Sequence, residues 1–362
     1  MRGSARLFLL LAGTCIFAVY FLLVNPRAVV VEILKANVWL LLLTLPLEVA
    51  FMLSFGFAWF ALLRSVEKGT SLKDCIAISL VSLFGDIMIP TASVTGEVIR
   101  LTLAKNKMGI GLNKTLASVL VHRTLNLMAL IPFLLLGLIS SRLDKSNGVE
   151  LSILLILVLM AVGVGLPLLR HLSRSKAFRE YMYRASQRFL TAFRRWDDRT
   201  SVVVEHNINE FCQALDIMFS RPQALALSFT ILLGQWGAAM TIPYVVFLAL
   251  NYEIPYFLVL VAYPVYSLSY MIPVGIPAML GVVESAMTAT FVALGVAPAI
   301  ASSASILTRV VAVWFEVVVT GSVTFLYSAD ILRGLFGLGR MSRSPMHGNE
   351  PEVVSRPDDE VR

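Results

Sequence analysis

Apolar residues run along this chain in long blocks, without the alternating or one-sided spacing of a soluble domain. Uninterrupted stretches begin near Leu7, Val38, Thr115, Leu151, Ala224 and Ile300, each long enough for the about 20 residues a helix needs to cross a bilayer. Two further apolar stretches, Cys75 to Pro90 and Tyr256 to Pro273, end on helix breakers instead of polar loops. Pro90 has no N–H and disfavours helical backbone at the residue before it, so the chain is expected to turn there. The pattern predicts an all-α polytopic membrane protein with six spanning helices and two re-entrant helical hairpins, 75–104 and 256–294. The first block, Leu7 to Val24, follows Arg2 and Arg6 and lacks a small-x-small cleavage site, so it reads as a retained helix and not a signal peptide.

Charge fixes the expected orientation. With both termini cytoplasmic, 21 Lys and Arg fall on the inside, against four outside: Arg27, Lys35, Arg142 and Lys145. That bias accounts for the net charge of +7 without a nucleic-acid partner. It also requires 75–104 to enter from and return to the cytoplasm, because Lys73 and Lys105 must share a side.

An internal repeat supports the same layout. KMGIGLNKTLASVLVHR (Lys107 to Arg123) aligns without gaps on ALGVAPAIASSASILTR (Ala293 to Arg309), and MIP recurs at Met88 and Met271, each followed by a bend and a glutamate, Glu97 or Glu284. The first membrane repeat is 1–139: two spans, the hairpin 75–104 and helix 115–139. The second is 151–334: helices 151–169 and 224–250, the hairpin 256–294 and helix 300–327. Their opposite orientation makes an inverted repeat, an arrangement common in transporters. Between them, the insert 170–222 is basic and amphipathic, with Phe178, Met182, Phe189 and Trp196 on one face and Arg184, Arg188 and Arg195 on another. It suits either an anionic leaflet or a solvated cytoplasmic connection. The tail 335–362 is polar and expected to be disordered.

Charges at membrane depth cost about 2.5–3.5 kcal/mol each even on a lenient scale, so each needs a partner or a role. They are Glu48, Asp86, Glu97, Arg100, Arg123, Glu284, Arg309 and Glu316, with His122 beside Arg123. Thr95 is a suitable N-cap and Gly96 a bend, so a half-helix starting there would offer free N–H groups to an anion, with Glu97 in its first turn and Arg100 one turn on. Arg123 and Arg309 could each grip a phosphate through two hydrogen bonds. Alternatively, Glu97 pairs with Arg123 and Glu284 with Arg309, holding each hairpin in its bundle. Glu316 lies on the face of Arg309, Asp86 is placed to cap the first hairpin, and Glu48 accompanies the kink residue Pro46. Trp39, Trp59, Trp236 and Trp314 read as lipid-facing or packing residues. Cys15, Cys75 and Cys212 are scattered, and the four histidines fit no ligand spacing, so neither a metal nor a cofactor is expected.

P-x5-G-E-x-x-R from Pro90 to Arg100, then SVLVHR, then P-x-G-x5-G-x-x-E ending in SILTR, resembles the flippase-like transmembrane region of lysylphosphatidylglycerol synthases and of stand-alone proteins of the same family. The resemblance spans Leu7 to Gly334. It implies movement of modified phospholipids or other lipid-linked headgroups across the cytoplasmic membrane, with Glu97, Arg100, Arg123, Glu284 and Arg309 at the substrate and Asp86, Thr95, Gly96, His122, Asn126 and Glu316 in support. The sequence departs from the family pattern in three places. An arginine common before the Gly-Glu pair is replaced by Ser93, Val94 and Thr95. The acidic partners of Glu-Arg-x-x-Asp are His122 and Asn126 here, which argues against proton coupling or cation binding near Arg123. Ile276, Pro277 and Ala278 interrupt a Gly-rich run. The short polar tail leaves no room for the aminoacyl-transfer domain, so a non-enzymatic translocase is expected. Its partners would be membrane lipids with anionic headgroups, with room for a homo-oligomer and a separate lipid-modifying enzyme. A membrane-embedded transferase on lipid-linked substrates and a small-anion transporter are the competing readings.

Overall fold

The computed structural model describes residues 26–89, 94–143, 164–192, 197–269 and 276–329, with Leu157, Met160 and Arg195. The Leu7–Val24 span, most of 151–169, the bend residues Pro90, Ser93, Pro273 and Gly275, and the 335–362 tail lie outside the described residues. Every regular element among the described residues is helical. A short helix α1 (Pro26–Leu34) precedes α2 (Val38–Val66), which starts where the Asn37 side chain accepts hydrogen bonds from the N–H groups of Trp39 and Leu40. Two shorter helices, α3 (Leu72–Met88) and α4 (Val94–Met108), pack against each other, and α5 (Leu112–Met128) follows. At 17 residues α3 is only about 26 Å long, short of the about 30 Å of a hydrocarbon core.

The helix expected over 115–139 carries a local turn. After α5 the chain turns at Ala129 and Leu130 and resumes as α6 (Ile131–Leu143). Pro132 supplies the reason: it cannot donate to the carbonyl of Met128, and its ring crowds that oxygen.

The insert 170–222 holds α7 (Gly165–Arg174), α8 (Lys176–Ala192) and α9 (Asp198–Phe219). Of these, α8 has no buried residue and carries exposed Arg184, Arg188 and Phe189. Helix α9 instead buries Ile208, Phe211, Cys212, Leu215, Met218 and Phe219 in the main apolar core, against α5 and α7. Asn113 donates to Glu210 at 2.7 Å, and Arg174 to Asp216 at 3.1 Å, tying the insert to the bundle.

The rest of the described chain forms the second half. A long helix α10 (Pro222–Ala249) precedes two short ones, α11 (Tyr256–Ser269) and α12 (Val282–Ala293), then α13 (Pro298–Arg309), a π-helical segment (Val310–Phe315) and α14 (Glu316–Tyr327). Among the described residues, four helical stretches are long and apolar enough to cross a membrane: Val38–Val66, Leu112–Gly137, Pro222–Ala249 and Pro298–Tyr327. Helices α2 and α10 pack along each other at the centre. The short pairs are exchanged across this axis: α3 packs on α14, where Tyr327 donates to Asp74 at 2.7 Å, and α11 packs on α6. Each half thus builds part of the other's wall, and a cavity lies between them.

Candidate functional site

The cavity, of about 220 Å³, is lined from α2, α3, α4, α5, α10, α11 and α14 and by the turn Ala278–Met279. Its wall is mostly apolar, as for other small-ligand sites, but carries Glu48, Asp86, Glu97, Arg100, His122, Arg123, Asn126, Gln235 and Glu316. One end reaches the surface. There Glu97 and Arg123 form an ion pair with side chains 28% and 29% exposed. Toward the interior, Glu48 is 2%, Glu316 7% and Gln235 1% exposed.

Close packing of α3 on α4 positions the first motif. Helix α4 begins at Val94, so Thr95 lies in its first turn and is not its N-cap. The Gly96 N–H donates to the Asp86 carboxylate at 2.7 Å, so a carboxylate of the chain itself occupies part of the expected anion site. Gly96 is required by proximity: a β-carbon there would run into that carboxylate and lie 2.7 Å from the Ser82 carbonyl oxygen.

Arg100 makes its hydrogen bonds to α3 and α5. Its guanidinium is buried, donates through Nε to Ser82 at 3.1 Å, and contacts His122 Nδ1 at 3.4 Å. The same guanidinium lies over the rings of Phe55 and Trp59, 4.3 and 5.5 Å from their centroids, and Trp59 is held by a 3.0 Å bond to Ser118. Trp39 and Trp314 are exposed, as lipid-facing residues would be.

Glu284 and Arg309 make a different kind of pair. Both side chains are 3% exposed, Nε of Arg309 donates to Glu284 at 2.8 Å, and another Arg309 nitrogen donates to the Ala278 carbonyl. The second carboxylate oxygen of Glu284 accepts from the Gly281 N–H at 2.8 Å, capping α12. Neither Glu284 nor Arg309 lines the cavity. The cluster instead holds a strained turn. Ala278 and Met279 both have φ of 52°, the left-handed region that costs non-glycine residues about 1–3 kcal/mol each. Immediately after Arg309, the π-helical segment leads to Ala312, Val313 and Glu316 at the cavity wall; such segments often mark functional sites.

The structure therefore brings Glu97, Arg100, Arg123, Asp86, His122, Asn126 and Glu316 to one cavity and sets Glu284 and Arg309 beside it. Sequence reasoning passed over Gln235 and understated Glu48. Gln235 is polar in the middle of the 28-residue apolar helix α10, a signal as plain as an intramembrane charge. Among the described residues, neither polar atom of its amide finds a hydrogen-bond partner, nor does the side-chain oxygen of Asn126. Buried amides are normally satisfied, so these atoms mark a place where a polar ligand or water belongs.

These features define a multi-pass membrane protein built around a buried polar cavity. The chain belongs to the family of the lysylphosphatidylglycerol synthase TM region, whose profile matches residues 9–320. It is similar to a UPF0104 membrane protein of Pyrococcus horikoshii, 24% identical over 80% of this chain and 87% of that protein. A UPF0104 membrane protein of Methanothermobacter thermautotrophicus is 22% identical over 84% and 90%, and one of Archaeoglobus fulgidus 24% identical over 69% and 75%.

Proposed function

We propose that this protein is a lipid translocase of the cytoplasmic membrane, with six spans, two re-entrant hairpins (α3–α4 and α11–α12) in an inverted repeat, and both termini in the cytoplasm. The carrying observation is the cavity between the halves, with its charged wall and the unpartnered amide of Gln235. At about 220 Å³ it is smaller than the about 300–1,000 Å³ of drug-sized sites. It suits a headgroup whose acyl chains stay in lipid.

The half-exposed Glu97–Arg123 pair is the entrance. When it parts, Arg123 turns to the headgroup phosphate and grips it bidentately, while Gln235 and Asn126 bind its uncharged polar atoms. Carboxylates on the cavity wall outnumber guanidiniums, Glu48, Asp86, Glu97 and Glu316 against Arg100 and Arg123. That balance favours a headgroup that also carries an amine, and disfavours a small-anion transporter. The enclosed Glu284–Arg309 pair keeps the second hairpin intact while the halves rock against each other.

Headgroup accessibility in proteoliposomes tests this reading. Labelled phospholipid should exchange between leaflets with the protein present, and Arg123→Ala or the cavity-filling Ala312→Trp should slow the exchange. Exchange no faster than in protein-free vesicles, or unchanged in both variants, would overturn it.

A further inference from the structure

The closed end of the cavity holds more negative charge than its surroundings balance. Glu48 comes from α2 and Glu316 from α14, and both line this cavity while only 2% and 7% exposed. The other titratable and charged groups around them are Asp86 on α3, Glu97 and Arg100 on α4, His122 and Arg123 on α5, Tyr263 and Tyr266 on α11, and Arg309 at the end of α13. Glu97 already pairs with Arg123 and Glu284 with Arg309. Among the described residues of the cavity wall, Glu48, Asp86 and Glu316 outnumber the remaining guanidinium, Arg100, and Arg309 beside Glu316 is already engaged by Glu284. No basic side chain of the described residues lies in ion-pairing distance of Glu48 or Glu316. Uncompensated charge in so buried a place is not sustainable, so the pair must take up a positive charge. Gln235, buried and unpartnered on the same wall, is a second sign that something polar binds here.

We propose that Glu48 and Glu316 form a proton-binding carboxyl pair that is loaded from one side of the membrane and emptied to the other as the cavity changes access. A proton adds to a carboxylate oxygen of the pair, forming an O–H bond; release breaks the same O–H bond to water on the far side. The proton site stands on the cavity geometry, whereas its coupling to lipid movement rests on the translocase reading. It also moves the coupling acids away from the neighbourhood of Arg123, where the sequence lacks them.

Two measurements separate these claims. Infrared spectra of the purified protein in nanodiscs, recorded over a pH series, read protonated carboxyl groups directly. A carboxyl C=O band persisting at neutral pH, lost in the Glu48→Gln/Glu316→Gln double variant, is expected. Absence of the band in the wild type, its survival in the double variant, or its displacement by sodium would overturn the proton site whether or not the protein moves lipid. In proteoliposomes, one proton per lipid makes a gradient of about one pH unit redistribute labelled lipid by up to about tenfold, and either single Gln variant should abolish that response. Lipid exchange indifferent to the gradient would overturn the coupling. Failure of all exchange would overturn the translocase reading, and the coupling with it, while leaving the infrared result to decide the proton site.

Discussion

Replacing Glu284 by Gln tests the contrast between the two Glu–Arg pairs. The substitution keeps the shape but removes the charge opposite Arg309, at a site where both side chains are 3% exposed. Breaking a buried pair from one side typically costs about 3–5 kcal/mol, because the remaining charge is left uncompensated. The Gly281 N–H and the Arg309 Nε both use Glu284 oxygens, and a Gln carbonyl offers only one such acceptor, which places the loss in the upper part of that range. The same change at Glu97, in a pair 28–29% exposed, should cost only about 0–1 kcal/mol. Unfolding by SDS titration from mixed micelles measures both. Since a buried pair can often be replaced by apolar residues with little loss, Glu284→Met/Arg309→Met should recover much of what Glu284→Gln loses. Equal costs at Glu284 and Glu97, or a double variant as damaging as the sum of its singles, would refute the division into a structural anchor and a parting entrance.

Three further outcomes follow from the site. Gly96→Ala should destabilise by about 1–3 kcal/mol in the same titration, the range for overpacking, because its β-carbon meets the Asp86 carboxylate and the Ser82 carbonyl. Gln235→Leu removes an amide without partners among the described residues, so stability should hold or rise while headgroup exchange in proteoliposomes falls. Arg100→Lys keeps the charge but loses the planar group stacked on Phe55 and Trp59, a loss of up to about 2 kcal/mol that thermal unfolding would register.

Much of the architecture was legible because membrane segments are read from block length and from breakers. The limits 75–104 and 256–294 fall within a few residues of two pairs of short helices, Leu72–Met108 and Tyr256–Ala293, since a proline or glycine in an apolar run leaves backbone groups that a straight helix cannot satisfy. The two ion pairs were legible as an alternative, because each arginine follows its glutamate by about the same distance along the chain, 26 and 25 residues. What was hidden depends on packing between distant segments. Nothing local says that Arg100 meets Phe55 and Trp59 from another helix, or that Glu48 and Glu316 line one cavity. Two signals were present but unread. Ile208, Phe211, Leu215 and Met218 recur at three and four and bury α9 in the core, and Pro132 marks the turn between α5 and α6.

The account stands on a headgroup entering the cavity, and photocrosslinking tests that most directly. A phospholipid carrying a diazirine on its headgroup, reconstituted with the protein and irradiated, should label cavity-wall residues such as Phe51, Leu127, Gln235 and Tyr263, and Ala312→Trp should suppress that labelling. Labels confined to outward-facing residues such as Trp39, Val318 and Leu326, unchanged by Ala312→Trp, would contradict it.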